Sequence, residues 1–341
     1  MDYCFQLLPH ANIRYQESLD RLGAAELACM LRAMALPVPD FRHETIGGAD
    51  FLCFEAPELT VDQLRRIGRH SALLLLCRRE APYLLPLDTP RPGYLPRDLA
   101  EVLKYKGKTS AVFTHMMLNL ALAASDFFQS EGPVTVLDPL CGRGTSCFVA
   151  LQQGMNAVGL DMDRRDLKEA ADYFSRYLQY HKLKHSLNQG SRTVRKGSVP
   201  EALYTLADAK EHYQAGDVRT LRLLLGDTAL AAELLRKTPA EVIVADLPYG
   251  IQHAPQDGRH PESFSALLKR ALPAWRAALK DGGAMALSFN SLTLPRKTVV
   301  SLAEDAGLRV MEAPFENLEH FVEQAVTRDV VVARKEAPAA R

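Results

Sequence analysis

Four aspartates, Asp138, Asp161, Asp227 and Asp246, each close a short apolar run rich in β-forming residues. In an open α/β sheet, ligands lie outside the carboxyl ends of the strands. Any one of these acids reads as well as a helix cap or turn residue. Four of them, with Gly142 and Gly144 beside the first, point instead to a site. The glycines let backbone approach a ligand and tolerate positive φ, and the helix start behind them presents free N–H groups. An acid at the tip of the next strand, about 20 residues on, can hold two ribose hydroxyls.

The elements that must position these groups follow from the local pattern. Val134–Leu137 is an apolar run, Pro139–Thr145 a loop and Ser146–Gln153 a helix-compatible stretch. A second strand, Ala157–Leu160, ends on Asp161. The third glycine of a dinucleotide fingerprint is missing. An acid beside the loop serves a pyrophosphate poorly and suits a ligand carrying an ammonium group, such as S-adenosylmethionine. Taken alone, the loop fits either a nucleotide-type site or a plain βα turn.

A second stretch, Val242–Asp246 followed by Leu247, Pro248, Tyr249 and Gly250, is another buried-type strand ending in a turn. The loop Asp138-Pro139-Leu140-Cys141-Gly142-Arg143-Gly144-Thr145 and the later Asp246-Leu247-Pro248-Tyr249-Gly250 together resemble class I S-adenosylmethionine methyltransferases that act on exocyclic amines. Within them the chain is most similar to the RNA guanine-N2 methyltransferases whose better-known members carry a THUMP domain. The run from Lys104 to Thr114 also matches that group, and the similarity covers roughly residues 98 to 334.

The resemblance implies S-adenosyl-L-methionine as cofactor and RNA, most plausibly tRNA, as partner. It places Asp138, Leu140, Cys141, Gly142, Gly144 and Thr145 around the methionine part, with Phe113 and Thr114 flanking its carboxylate. Asp161 with Met162 would meet the ribose, and Asp227 with Thr228 the adenine. Arg143 replaces a residue that is commonly small; it either faces solvent or reaches the carboxylate. Asp246, Leu247, Pro248 and Tyr249 would hold the acceptor, with Asp246 also next to the cofactor. An exocyclic amine is a poor nucleophile because its lone pair is delocalised into the ring. A carboxylate and the Leu247 carbonyl accepting its two hydrogens would free that pair. Pro248 stiffens the turn, and Tyr249 offers a stacking face to a flipped base.

Residues 98–336 alternate strands and helices, which predicts parallel βαβ units. The expected fold is α/β: a Rossmann-like, seven-stranded class I methyltransferase sheet, with Ala325–Ala333 as its antiparallel last strand. Residues 1–88 read as a small α+β domain resembling a ferredoxin-like unit, for packing, dimerisation or RNA recognition. It leaves no room for a full THUMP domain. Residues 89–97 read as a proline-rich linker, 183–216 as a basic, weakly helical insertion or flap over the cleft, and 337–341 as a tail.

Composition bounds the rest. Formal net charge is zero and 47% of residues are apolar, so the global field does not mark a nucleic-acid binder. Local basic runs do so only if they converge on one cleft: Arg176 to Lys196, the Lys104–Lys106–Lys108 group, and Arg65, Arg66, Arg69, Arg78 and Arg79. The six cysteines form no Cys-x-x-Cys pair and read as reduced, with no metal site. No apolar run approaches the ~20 residues needed to span a bilayer, and the start, Met1–Phe5, lacks a secretory signal; a cytoplasmic enzyme is expected. Asp-x-Pro-Tyr is shared with DNA adenine-N6 and cytosine-N4 methyltransferases, a second reading. A non-catalytic RNA-binding protein on the same fold is a third.

Overall fold

The computed structural model describes residues 1–9, 13–90, 93–105, 108–195, 197–248, 256–257 and 260–337. The N-terminal part runs β1 (Asp2–Leu7), α1 (Ile13–Ala33), β2 (Arg42–Ile46), β3 (Ala49–Glu55), α2 (Val61–Ile67), β4 (Leu73–Glu80) and β5 (Tyr83–Pro86). Its antiparallel sheet has the order β2-β3-β1-β4-β5. That is the ferredoxin-like βαββαβ pattern with one edge strand added. Alternation sets its faces: Tyr3 and Phe5 point into the core, while Cys4 lies opposite Cys53 and Cys77 on the other face. α2 begins at Thr60 with a full capping box, in which Thr60 and Gln63 satisfy each other's backbone N–H groups.

The second part runs α3 (Leu99–Val102), α4 (Ala111–Ala124), β6 (Thr135–Asp138), α5 (Thr145–Gln152), β7 (Asn156–Asp161), α6 (Arg164–Tyr180), β8 (His185–Val194), β9 (Gly197–Leu206), α7 (Lys210–Ala215) and β10 (Arg219–Leu225). A 3-10 turn (Thr228–Leu230), α8 (Ala231–Leu234), β11 (Ala240–Asp246), β12 (Gln256–Asp257), β13 (His260–Pro261) and α9 (Phe264–Ala278) follow. It ends with β14 (Leu279–Asn290), α10 (Arg296–Asp305), β15 (Arg309–Val310), β16 (His320–Glu323) and β17 (Val326–Arg334).

The large sheet has the order β15-β17-β14-β11-β6-β7-β10-β9-β8, with β16 also on β17. β10, β7, β6, β11 and β14 are parallel and β17 is antiparallel to β14. This is the Rossmann-like methyltransferase sheet, but with ten strands in place of the expected seven. Two of the extra strands come from residues 185–206. The stretch read as weakly helical is a helix only at α7; residues 185–206 form a β-hairpin, closed by the pairing of Val194 with Gly197, that extends the sheet beyond β10. Gly197, at φ +138°, tolerates the tight end of the hairpin, and the β-branched Val194 and Val199 favour strands. After β10, residues 228–234 form the 3-10 turn and the short α8.

The two parts share one core. Tyr3, Phe5 and Leu22 belong to the same apolar cluster as Phe113, Met117 and Phe148. Polar bonds cross the junction as well. Buried Glu26 of α1 accepts from Asn119 of α4 at 2.6 Å, and buried Arg66 of α2 donates to the Phe128 carbonyl at 2.8 Å. Among the described residues, no helix is long and apolar enough to cross a membrane.

Candidate active site

The tips of β6, β7 and β11 carry the site. After β6 the chain turns through Gly142 (φ +48°) and Gly144 (φ +85°), both left-handed positions that a side chain would strain. Gly144 is the N-cap of α5, and a Cβ there would also press on the Phe148 ring. At Gly142 a Cβ would meet nothing nearer than the Asp166 carboxylate at 4.0 Å, so the space above the loop is open.

Asp138 is buried at the β6 tip. Its Oδ1 accepts from the Leu140 amide at 3.0 Å and its Oδ2 from the Ser146 hydroxyl. Burial pushes its carboxyl up to about 7, against the lowering effect of those two donors; the nearby charges of Asp161 and Asp246 add to the rise. Asp161, at the β7 tip, is raised for the same first reason. Its two oxygens accept from the amides of Gly142, at 2.7 Å, and Asp163, at 2.8 Å. Met162 follows, half exposed beside it.

Cys141 turns inward and is buried against Cys147, whose hydrogen bond, together with burial, holds its thiol well above the usual range. Arg143 neither extends into solvent nor reaches toward a ligand. It pairs with Asp166 and Glu169 of α6, each at 3.0 Å, and lies 4.6 Å over the Tyr105 ring. The Tyr105 hydroxyl in turn meets Thr145 Oγ1 at 3.2 Å. Tyr105 and Arg143 thus brace the loop from outside.

Asp227, after β10, accepts from the Ala229 amide at 2.7 Å and from Arg270 at 2.5 Å. Arg270 is also gripped by Glu262, and these two carboxylates, Glu262 first, raise its pKa. Thr228 is buried and its hydroxyl accepts from the Trp275 indole at 2.8 Å, so it serves the packing of the turn on α9.

At the β11 tip, Asp246 Oδ2 accepts from the Thr109 hydroxyl, and Arg328 Nη2 of β17 lies 3.8 Å from the same oxygen. The Leu247 amide donates to the Ser288 carbonyl at 2.9 Å and its side chain is buried. That fixes the peptide joining Asp246 to Leu247. Tyr249 and Gly250 lie outside the described residues. β6 and β11 are paired neighbours, with Ile243 opposite Leu137, so Asp138 and Asp246 lie at the ends of adjacent strands about 5 Å apart, with Asp246 further along. Phe113 is buried beneath Arg328, its ring 4.6 Å from the guanidinium. The Thr114 hydroxyl donates back to the Ser110 carbonyl within its own helix, at 3.0 Å.

Sequence reasoning missed Thr109, Tyr105, Arg270 and Arg328 as site residues. The signal for Arg328 was present: Arg328-Asp329 interrupts an otherwise apolar last strand, and a charged pair in a buried strand needs partners. Of the basic clusters, Arg65 and Arg66 pair with Asp62, Arg79 with Glu44 and Arg192 with Glu201. Lys104 and Lys108 line a cavity of about 440 Å³ with Glu101, Thr109 and Ser110, facing Leu8, Pro9 and Ala72 of the N-terminal part, and the Lys108 ammonium donates to the Ala100 carbonyl. Lys106 and Lys196 lie outside the described residues. Among the described residues, no group of histidines, cysteines and acids is placed to hold a metal ion.

No known family model matches the chain, and no curated protein sequence matches it. Solved structures do. The chain is similar to a TehB-like SAM-dependent methyltransferase from Corynebacterium glutamicum, with 16% identity over 61% of this chain and 83% of that one and a TM-score of 0.36. It is similar to TrmN from Thermus thermophilus, with 18% identity over 88% of this chain and 60% of that one and a TM-score of 0.39. It is also similar to the precorrin-6y C5,15-methyltransferase from Geobacter metallireducens, with 15% identity over 69% of this chain and 95% of that one and a TM-score of 0.37.

Proposed function

We propose that the chain is an S-adenosylmethionine-dependent methyltransferase acting on the exocyclic amine of a base in RNA, most plausibly guanine N2 in tRNA. The observation that carries this reading is the pairing of β6 with β11, which sets the Asp138 loop beside Asp246, Leu247 and Pro248. The donor set suits the cofactor. Acids at the tips of β6, β7 and β11 favour a cationic ligand, and the open space over Gly142 admits it. Asp161 and Met162 would hold the ribose end, the Gly142–Gly144 loop and Asp138 the methionine end, and the Asp227 side the adenine. When bound, the cofactor supplies an electrophilic methyl group on its sulfonium.

The protein's own task is alignment. Asp246 and the Leu247 carbonyl accept the two hydrogens of the amine, which draws the nitrogen out of conjugation with the ring. Pro248 keeps that carbonyl in place, and Tyr249, next in sequence, offers a face for the unstacked base. Lys104 and Lys108, set against the one acid Glu101, line the cavity beside Thr109 on the N-terminal side, where a phosphate backbone would meet them and the ferredoxin-like unit would contribute to recognition. Nucleoside mass spectrometry of RNA from cells with and without the protein tests the reading. The expected result is loss of one methylated guanosine, with recovery on incubating that RNA with purified protein and cofactor. An unchanged nucleoside profile and no transfer in vitro would count against it.

A further inference from the structure

We infer that Arg328 and Thr109 are a positioning pair for Asp246, holding one oxygen of its carboxylate so that the group meets the acceptor amine in a single orientation. This deepens the methyl-transfer reading, on which it rests, with two residues outside the Asp246–Tyr249 motif. The bonds run in one direction. Arg328 Nη2 donates to Thr109 Oγ1 at 3.4 Å, and the Thr109 hydroxyl, its lone pair so engaged, donates its own hydrogen bond to Asp246 Oδ2. Arg328 Nη2 is also 3.8 Å from that oxygen.

The guanidinium is itself fixed. Arg328 is 5% exposed, and its plane lies 4.6 Å from the centre of the Phe113 ring, which contacts His320 at 5.0 Å. Its neighbour Asp329 points to the other face of β17, where Arg296 takes up its charge at 2.9 Å. A buried guanidinium is costly unless a carboxylate faces it, and Asp246 is the carboxylate at its tip. Among the described residues, the charged and titratable groups around Asp246 include Arg328 from β17, His320 from β16, Asp138 from β6 and Tyr105 from the segment before α4. Burial lowers the His320 pKa, so the ring is neutral near pH 7 and Arg328 supplies the positive charge. That charge lies 3.8 Å from Asp246 Oδ2.

The test uses purified full-length protein and total RNA from cells lacking it, with single-turnover methyl transfer resolved into its maximal rate and the half-saturating RNA concentration. Arg328→Met is expected to lower the maximal rate at least about tenfold through misplacement. Cofactor affinity by calorimetry should stay within about twofold of wild type, since the pair faces the acceptor side. Arg328→Lys should recover part of the rate, and the near-isosteric Thr109→Val, which disturbs packing least, should slow transfer by a smaller factor. If both Arg328→Met and Thr109→Val keep the wild-type rate while Asp246→Ala is inactive, the pair is overturned and the methyl-transfer reading stands. A slowed Arg328→Met with no recovery in Arg328→Lys shows a merely structural role and overturns it equally. If the wild-type protein methylates nothing in that RNA, the parent reading fails and takes the pair with it.

Discussion

The Asp161 carboxylate and the Gly142 amide meet at 2.7 Å, so the tip of β7 fixes the loop that follows β6. One acid thus does two things: it shapes the glycine-rich turn and presents negative charge beside half-exposed Met162. Asp161→Ala should weaken S-adenosylmethionine binding about 10- to 100-fold, the value of a hydrogen bond to a charged group. Asp161→Asn keeps an acceptor for Gly142 and should lose less. Calorimetric titration checks both, and an unchanged affinity in the alanine variant would remove the ribose assignment.

Asp246 faces a different demand. The role proposed for Asp246 is chiefly on the acceptor side, so Asp246→Ala should lower methyl transfer by at least about 10²-fold, the scale of losing one preorganised polar group at a reacting centre. Cofactor affinity should remain near wild type. Radiolabelled methyl transfer to RNA beside calorimetry separates the two effects. A variant with full turnover would remove the role.

The junction of the two parts rests on Glu26. Its carboxylate is buried and accepts from the Ser71 amide at 2.8 Å, the Ser71 hydroxyl at 2.5 Å and Asn119 at 2.6 Å. Glu26→Ala strands three donors in the interior and should cost about 3 kcal/mol in urea unfolding. Glu26→Gln, which keeps an acceptor, should cost less. A loss below about 0.5 kcal/mol for the alanine variant would show that the junction holds without this network.

The sheet was legible in the sequence because its central strands are buried on both faces and read as unbroken apolar runs, as at Val242–Ala245. The acids at their tips stood out against those runs. The hairpin of residues 185–206 did not, because most of β8 faces solvent and carries polar residues with no clear period. Thr109 and Arg328 were hidden for another reason. They lie far apart in the chain, on a loop and on the last strand, and only the order β17-β14-β11 brings Arg328 to Asp246. Asp227 illustrates the opposite case: its position was readable, but its partner Arg270, 43 residues on in α9, was not.

Asp138 makes the protein's stability and its binding depend on pH in opposite ways. Burial raises its carboxyl to about 7 in the folded state, against about 3.9 in an unfolded chain. Between those values the folded protein holds a proton that the unfolded chain has released. The stability from this group is therefore full below about pH 4 and is lost as pH rises through about 7. A cationic ligand favours the ionised form, so below pH 7 its binding should expel that proton and tighten as pH rises. Asp138→Asn should flatten the fall in melting temperature between about pH 5 and 7.5 and abolish proton release on cofactor binding. Calorimetry at pH 6 in two buffers of different ionisation enthalpy measures the release directly. Equal heats in both buffers for the wild-type protein would show that Asp138 is already ionised, or stays protonated, when the cofactor binds.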